Sequence, residues 1–471
     1  MTNSNKKPEV IFSKGASSKL KKLLHEVLID VRPTPKEIAA MTAASNDIMG
    51  RLKRVAPKDV EIMLLGSISR GTQIRGSSDI DIFLLFPKSM DERKMEELGL
   101  RIAKKIVEKG ESYEIKYAEH PYLKLKLSGI NATADIVPAF KISSAEEMGS
   151  AVDRTQLHNE FVNRVLSQKQ RNDVRILKAF LNAHNIYGAE ARTEGFSGYM
   201  CELLVYHYGS FIGVLEGIAN LKLPLIIDVN KHSKIPSVAE SVKRFGSEFI
   251  VIDPTDHMRN VAANVSRESL GRFVLHSREF LRKPCRTAFY GRGYSNVDAG
   301  AHLKKLCRDL NLNLYVMALK LPDIAEDVLW QQLSRLRGGL LEELKHNNLA
   351  PAMSFQNIAG RDAILAFFAC KAETPYSFAK GPSALMGSAA DAFLKSHRKS
   401  LAIMLDGERL AALERSKFSN AGALLKSKMS GKDINLPSYM TMRGAKLYTN
   451  DIPEHYAKML YEAMQEKSLL L

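Results

Sequence analysis

Gly66-Ser67-Ile68-Ser69-Arg70-Gly71-Thr72, followed after a short spacer by Gly76-Ser77-Ser78-Asp79-Ile80-Asp81-Ile82-Phe83-Leu84-Leu85-Phe86, is the stretch that decides the fold. Its first part is a small-residue turn that opens a helix expected over 68–74. Small residues let backbone N–H groups approach phosphates at such a turn. Arg70 follows Ser67 by three residues, on the same side of a helical turn, and is placed to meet a triphosphate, a surface ion pair being the alternative. The second part is a strand over 79–86. Strand side chains alternate between faces, so Asp79 and Asp81 project together. Paired carboxylates suit a divalent cation, and a phosphate cradle beside them implies nucleotidyl transfer.

That chemistry needs a third carboxylate from a neighbouring strand. Asp135, alone in Thr133-Ala134-Asp135-Ile136-Val137, meets the requirement. An unpaired carboxylate in a sheet is costly, so a cation partner is expected beside it. The alternative is a solvated strand end next to Asn131.

Around the motif, two helices over 18–55 split at Pro33-Thr34-Pro35, with Thr34 capping the second and Pro35 at its first position. A strand over 61–65 precedes the turn. A helix over 90–109 and strands over 111–118, 122–127 and 132–137 follow the motif strand. Without regular βαβ alternation, residues 1–150 read as an α+β domain on a mixed sheet. From 151 the pattern turns helical (153–166, 172–184, 198–212, 262–280), interrupted by strands 225–229 and 249–252 around a polar loop. Residues 285–301 read as a linker. Beyond it come a strand over 312–320, a helix over 324–346, a loop-like 374–392, a helix over 389–398 and a last helix over 453–469.

A chain of 471 residues exceeds one core, and about three domains are expected. The formal charge of +16 favours a polyanionic partner, a generally basic solvated surface being the alternative. The basic runs Lys395–Lys399 and Lys426–Lys432 carry the same two readings. Cys201, Cys285, Cys307 and Cys370 are scattered without CxxC spacing, which argues against a zinc site or disulfide framework and fits a reducing cytoplasm. Met1–Lys22 is polar and basic without an apolar core, unlike a secretory signal, and no apolar run approaches the roughly 18 residues that span a bilayer.

More selective motifs lie downstream: His120-Pro121-Tyr122, Ala134-Asp135-Ile136-Val137-Pro138, Ser150-Ala151-Val152-Asp153-Arg154-Thr155 with His158, and Asn185-Ile186-Tyr187-Gly188-Ala189-Glu190. To these add Gly195-Phe196-Ser197-Gly198-Tyr199, read as a turn in which Ser197 caps a helix, Cys201-Glu202-Leu203-Leu204, Asp253-Pro254 and Arg259-Asn260-Val261-Ala262-Ala263-Asn264. With them the chain resembles the archaeal-type (class I) CCA-adding enzymes, tRNA nucleotidyltransferases of the polymerase-β-like superfamily. The likeness runs from about residue 60 to 282; after 290 its best echo is Lys380-Gly381-Pro382 with Ala392-Phe393-Leu394.

The resemblance implies a catalytic head over 1–150, a helical neck over 151–284, an α/β body over 285–345 and 410–471, and a tail over 346–409 that meets tRNA. It implies Mg²⁺ on Asp79, Asp81 and Asp135, and the triphosphate on Gly66, Ser67 and Arg70. Thr155 and His158 would face the sugar and phosphates, Lys178 and Tyr187 would reach the triphosphate, and Arg259 would help read the base. Each also has a plainer reading: Lys178 on a solvated helix face, Tyr187 as a packed aromatic, His158 as a surface histidine, Arg259 paired with Asp253 or Asp256. The substrates implied are CTP, ATP and a tRNA 3′ end in the cytoplasm, with no membrane partner and room for a homodimer. A poly(A) polymerase-like enzyme and a catalytically dead RNA-binding relative are the rivals.

Overall fold

The structure is a computed structural model that describes residues 16–77, 79–117, 119–127, 132–230, 237–291, 298–371, 376–430 and 437–467. Ser78, residues 292–297 of the expected linker and Lys432 of the second basic run therefore lie outside the described residues. The chain divides into two compact units, 1–292 and 293–471.

The first unit begins with helices α1 (Ala16–Val31) and α2 (Pro35–Val55). Thr34 caps α2 in a reciprocal pair with Glu37, with Pro35 at the first turn, as its sequence predicts. Strand β1 (Glu61–Leu65), the single-turn helix α3 (Gly66–Ser69) and β2 (Asp79–Phe86) carry the motif. Then come α4 (Glu92–Lys105), β3 (Ser112–Tyr117), β4 (Pro121–Lys126) and β5 (Thr133–Phe140). The five strands form one mixed sheet in the order β1-β2-β5-β4-β3, with β2 and β5 parallel and the other pairs antiparallel.

Parity places the site on this sheet. Ile80, Ile82, Leu84 and Phe86 pack into a core with Ile48 and Leu52 of α2 and Met95 and Ile102 of α4. Phe83 and Leu85 belong to a second cluster with Leu65 and Ala139. Asp79 and Asp81 share the parity of Phe83 and Leu85, so they stand on the face away from α2 and α4.

The second core is helical: α5 (Arg154–Val165), α6 (Gln168–Ala183), α7 (Gly198–Tyr208), α8 (Phe211–Ala219) and, after β6 (Leu225–Ile227), α9 (Val238–Phe245), β7 (Phe249–Asp253), β8 (Asp256–Asn260) and α10 (Arg267–Arg282). Phe180, Phe211, Phe273, Phe280 and Phe289 meet in its centre. Val27 of α1 is buried in this core, and so is Phe289 of the expected linker. The N-terminal helix therefore packs with the helical part, not with the sheet that follows it.

Several expected elements differ. The helix expected over 68–74 ends at Ser69, because Gly71 turns left-handed (φ 60°) and the carbonyls beyond it bond to α6. The helix expected over 198–212 breaks at Gly209 (φ 81°), after which Ser210 caps α8. The helix expected from 262 starts at Arg267, capped by Ser266. α9 occupies part of the expected polar loop, its start fixed by Ser237 and Glu240.

The second unit contains α11 (Ala299–Asp309), β9 (Leu312–Lys320), α12 (Glu326–His346), β10 (Met353–Ala359) and β11 (Asp362–Cys370). It continues with β12 (Tyr376–Ser383), α13 (Gly387–Ser396), β13 (Ala402–Asp406), β14 (Arg409–Arg415), α14 (Ala421–Ser430), β15 (Lys446–Thr449) and α15 (Glu454–Lys467). One sheet has the order β10-β11-β9-β15 and another β12-β14-β13. The span 374–392, expected as loop, thus holds a strand, and 353–370 pairs into the sheet of 312–320. Among the described residues no helix is long and apolar enough to cross a membrane.

Candidate active site

Parallel pairing of β2 with β5 sets Asp81 directly beside Asp135 and Asp79 beside Thr133. On the far side of β5, Lys124 of β4 stands opposite Asp135. Its ammonium lies 3.0 Å from Asp135 Oδ1 and 3.5 Å from Asp79 Oδ1, so the cation partner expected for Asp135 is Lys124. Thr133 donates its hydroxyl to Asp79 Oδ1 at 2.8 Å. On the other side Leu65 pairs with Asp81, which brings Gly66 against its carboxylate: a Cβ there would lie 1.8 Å from Oδ2. Gly66 is also left-handed (φ 72°), so the glycine meets both a steric and a backbone demand.

Burial raises the Asp81 carboxyl to about 6, and the charge of Asp135 adds to it, while Arg70 and Lys124 pull the other way. Burial likewise raises Asp135, against the pull of Lys124. Three carboxylates facing one ammonium are an acidic excess that a divalent cation suits. The oxygens are not drawn tightly together. Among the described residues, the group whose potential ligand atoms lie within 4.8 Å of one another is Glu92, Glu96 and His120. There the buried His120 Nδ1 is hydrogen-bonded to Glu96 Oε1 at 2.8 Å, tying the start of β4 to α4.

The helical part surrounds the turn that follows α3. Three cations spaced along one side of α6 donate to its carbonyls: Arg171 to Arg70 O, Lys178 to Thr72 O (3.0 Å) and Arg175 to Gln73 O (2.9 Å). Lys178 is fully buried, not on a solvated face, and burial lowers its pKa against the pull of Glu202. Arg70 and Thr72 both bond to Glu202, and Arg70 lies close enough to Asp81, His158, Lys178 and Tyr187 to act on the charge of each. A Cβ on Gly198 would lie 3.2 Å from the Tyr187 hydroxyl and 3.4 Å from Lys178 Nζ, so these two predicted residues meet at the start of α7. Ser197 caps that helix by accepting from Met200 N, the plain architectural reading of its motif.

Asp253, at the end of β7, gathers a second group. His158 Nε2 lies 2.8 Å and Arg259 Nη1 2.9 Å from its Oδ2, while Tyr199 and Thr255 donate to Oδ1. The His158 and Tyr199 rings stack at 3.7 Å. Burial works to raise the Asp253 carboxyl, but the His158 and Thr255 hydrogen bonds outweigh it and hold it well below the usual range. Burial lowers His158 in turn, against Asp253, which favours the neutral ring. Asp256, the other acid near Arg259, faces Arg154 at 3.4 Å. Ser67 and Thr155 are half-buried in α3 and in the first turn of α5.

The sequence motifs give no role to Lys124, Arg171, Arg175 or Glu202, and Asp253 enters only through Asp253-Pro254 and as a partner for Arg259. Glu202 was legible as the lone charge in the apolar Tyr199–Val205. Lys124 required knowing which strand lies beside β5.

A mixed sheet presenting three aspartates behind a small-residue turn defines a nucleotidyltransferase. Residues 46–158 match the nucleotidyltransferase domain, 172–290 the second domain of tRNA nucleotidyltransferase, and 312–436 the C-terminal domain of the CCA-adding enzyme. The CCA-adding enzyme of Methanocaldococcus jannaschii is 31% identical over 91% of this chain and 95% of its own length. Those of Archaeoglobus fulgidus (36% identical, 71% of this chain, 72% of its own) and Pyrococcus abyssi (37%, 69% and 73%) are similar over less. The chain belongs to the CCA-adding enzyme family. A solved structure of the Cid1 poly(U) polymerase overlaps 58% of this chain and 99% of its own at 16% identity and a TM-score of 0.47.

Proposed function

We propose that this chain builds or repairs the 3′-terminal CCA of tRNA from CTP and ATP, without a nucleic-acid template. The observation that carries the reading is the contact of Gly66 with Asp81: the turn suited to phosphates is packed against the central carboxylate of the triad. The terminal ribose hydroxyl attacks the α-phosphate and pyrophosphate leaves. Asp79, Asp81 and Asp135 would hold Mg²⁺, which would supply the positive charge that this transfer needs.

The remaining roles fall to the chain's own groups. Arg70 faces the triphosphate beside Gly66 and Ser67, and Lys178 and Tyr187 support that end of the site from α6 and the segment before α7. Thr155 and His158 face the sugar and phosphates from α5. Arg259, held by Asp253, reads the base. The head, neck, body and tail division is part of this reading, with α1 and Phe289 given to the neck, whose core they share, and the tail narrowed to 376–415 because β10 and β11 pair into the sheet of β9. The net charge of +16 suits a tRNA held largely by its backbone in the cytoplasm, and a homodimer is compatible with the reading.

The test supplies tRNA lacking its last three nucleotides with labelled CTP, ATP or both. Two cytidines from CTP alone, completed by one adenosine when ATP is added, are expected. A long adenosine run, or no incorporation with Mg²⁺, contradicts the reading.

A further inference from the structure

Glu202 sits in α7 among Tyr199, Met200, Cys201, Leu203, Leu204 and Val205, all buried, and is itself 0% exposed. A carboxylate in such surroundings requires partners. Arg70 Nε lies 3.1 Å from its Oε1 and 3.0 Å from its Oε2, and the Thr72 hydroxyl donates to Oε1 at 2.5 Å. Both partners belong to the turn that leaves α3, on the sheet side of the site.

The edge used by Arg70 is informative. A guanidinium is a rigid planar fork with five donors, so a carboxylate on one edge fixes the direction of the other. Glu202 takes the Nε edge. Among the described residues, no protein group bonds to Nη1 or Nη2, the pair best suited to a phosphate. The backbone beneath is fixed as well, because Arg171, Lys178 and Arg175 hold the carbonyls of Arg70, Thr72 and Gln73. A buried ion pair is weak grounds for stability, since apolar replacements are often as good. Its geometry here serves to aim a cation.

We propose that Glu202 is a positioning residue: it holds the Nε edge of Arg70 so that the Nη edge meets the nucleotide's triphosphate. Through it, nucleotide affinity on the sheet depends on a helix of the neck. Glu202 itself touches no substrate. The inference rests on the reading of Arg70 as a triphosphate contact.

The test is equilibrium binding of labelled CTP and ATP, with Mg²⁺, to the full-length protein and to E202Q, R70Q, R70K and the E202Q/R70Q double variant. Loss of a charge-assisted hydrogen bond predicts that E202Q weakens both nucleotides about tenfold or more, while tRNA affinity stays unchanged. The double variant should bind no more weakly than R70Q, because Glu202 acts only through Arg70. R70K should be as weak as R70Q, since one ammonium cannot serve Glu202 and a phosphate along two fixed edges. Independent, additive losses in the double variant, or wild-type affinity in R70K, overturn the proposal. If E202Q does not fold, R70K, which keeps the charge, decides the matter. Wild-type protein that binds neither nucleotide would overturn the reading of Arg70 as well, whereas additivity with intact binding overturns the role of Glu202 alone.

Discussion

A Cβ on Gly66 would lie 1.8 Å from Asp81 Oδ2, so Gly66→Ala must displace the carboxylate or the turn. Displacement by about 1 Å in a catalytic constellation can cost on the order of a hundredfold. We predict a loss of about that size in nucleotide incorporation, with the protein still folded by circular dichroism; wild-type turnover would contradict the packing of turn against triad. Asp253 makes a second residue-level prediction. Its carboxyl lies below the ordinary 3.8 in the folded state, so its contribution to stability is full above that value and fades as pH falls through the folded value. Asp253→Asn should therefore be less stable than wild type at pH 7 by about 3 kcal/mol. In urea titrations that gap should narrow as pH drops below about 4; a gap that widens in acid would contradict the assignment.

Among elements, α7 gives the cleanest separation of architecture from site. Ser197→Ala removes the cap that accepts from Met200 N and should cost about 1 kcal/mol, leaving nucleotide affinity unchanged. Lys178→Met, one helix away, strands the Thr72 carbonyl and should weaken CTP and ATP binding together; binding assays on the two variants check the contrast. The capped starts of α2 and α7 were legible because Thr34 and Ser197 act on N–H groups three residues on. The end of α3 was not, because what stops it is contact with Arg171, Arg175 and Lys178, about a hundred residues away. β11, Asp362–Cys370, is almost wholly buried, and a continuous apolar run without a period of two does not announce a strand. At the site the same division holds. Asp79 and Asp81 are read from local alternation and Asp135 from the composition of its strand, whereas Lys124 enters through strand pairing; Glu202 stands out in sequence as a lone charge, but its partners Arg70 and Thr72 enter only through packing.

Across the whole molecule, Asp79, Asp81, Asp135 and all of the proposed nucleotide contacts lie within residues 1–292, which form one compact unit. A protein ending at Arg292 should therefore melt cooperatively and bind CTP and ATP within about twofold of the full chain. Its tRNA affinity should fall, as fluorescence anisotropy would show. The excess of 68 Lys and Arg over 52 Asp and Glu predicts that tRNA affinity of the full chain drops steeply with salt. On the proposed reading, the triad around Asp81 performs the transfer for a tRNA acceptor. Its most direct test is Asp81→Ala, assayed in one preparation for incorporation from CTP and ATP and for tRNA binding. Incorporation should be abolished while tRNA affinity stays within a few fold; incorporation at the wild-type rate would exclude Asp81 from the transfer.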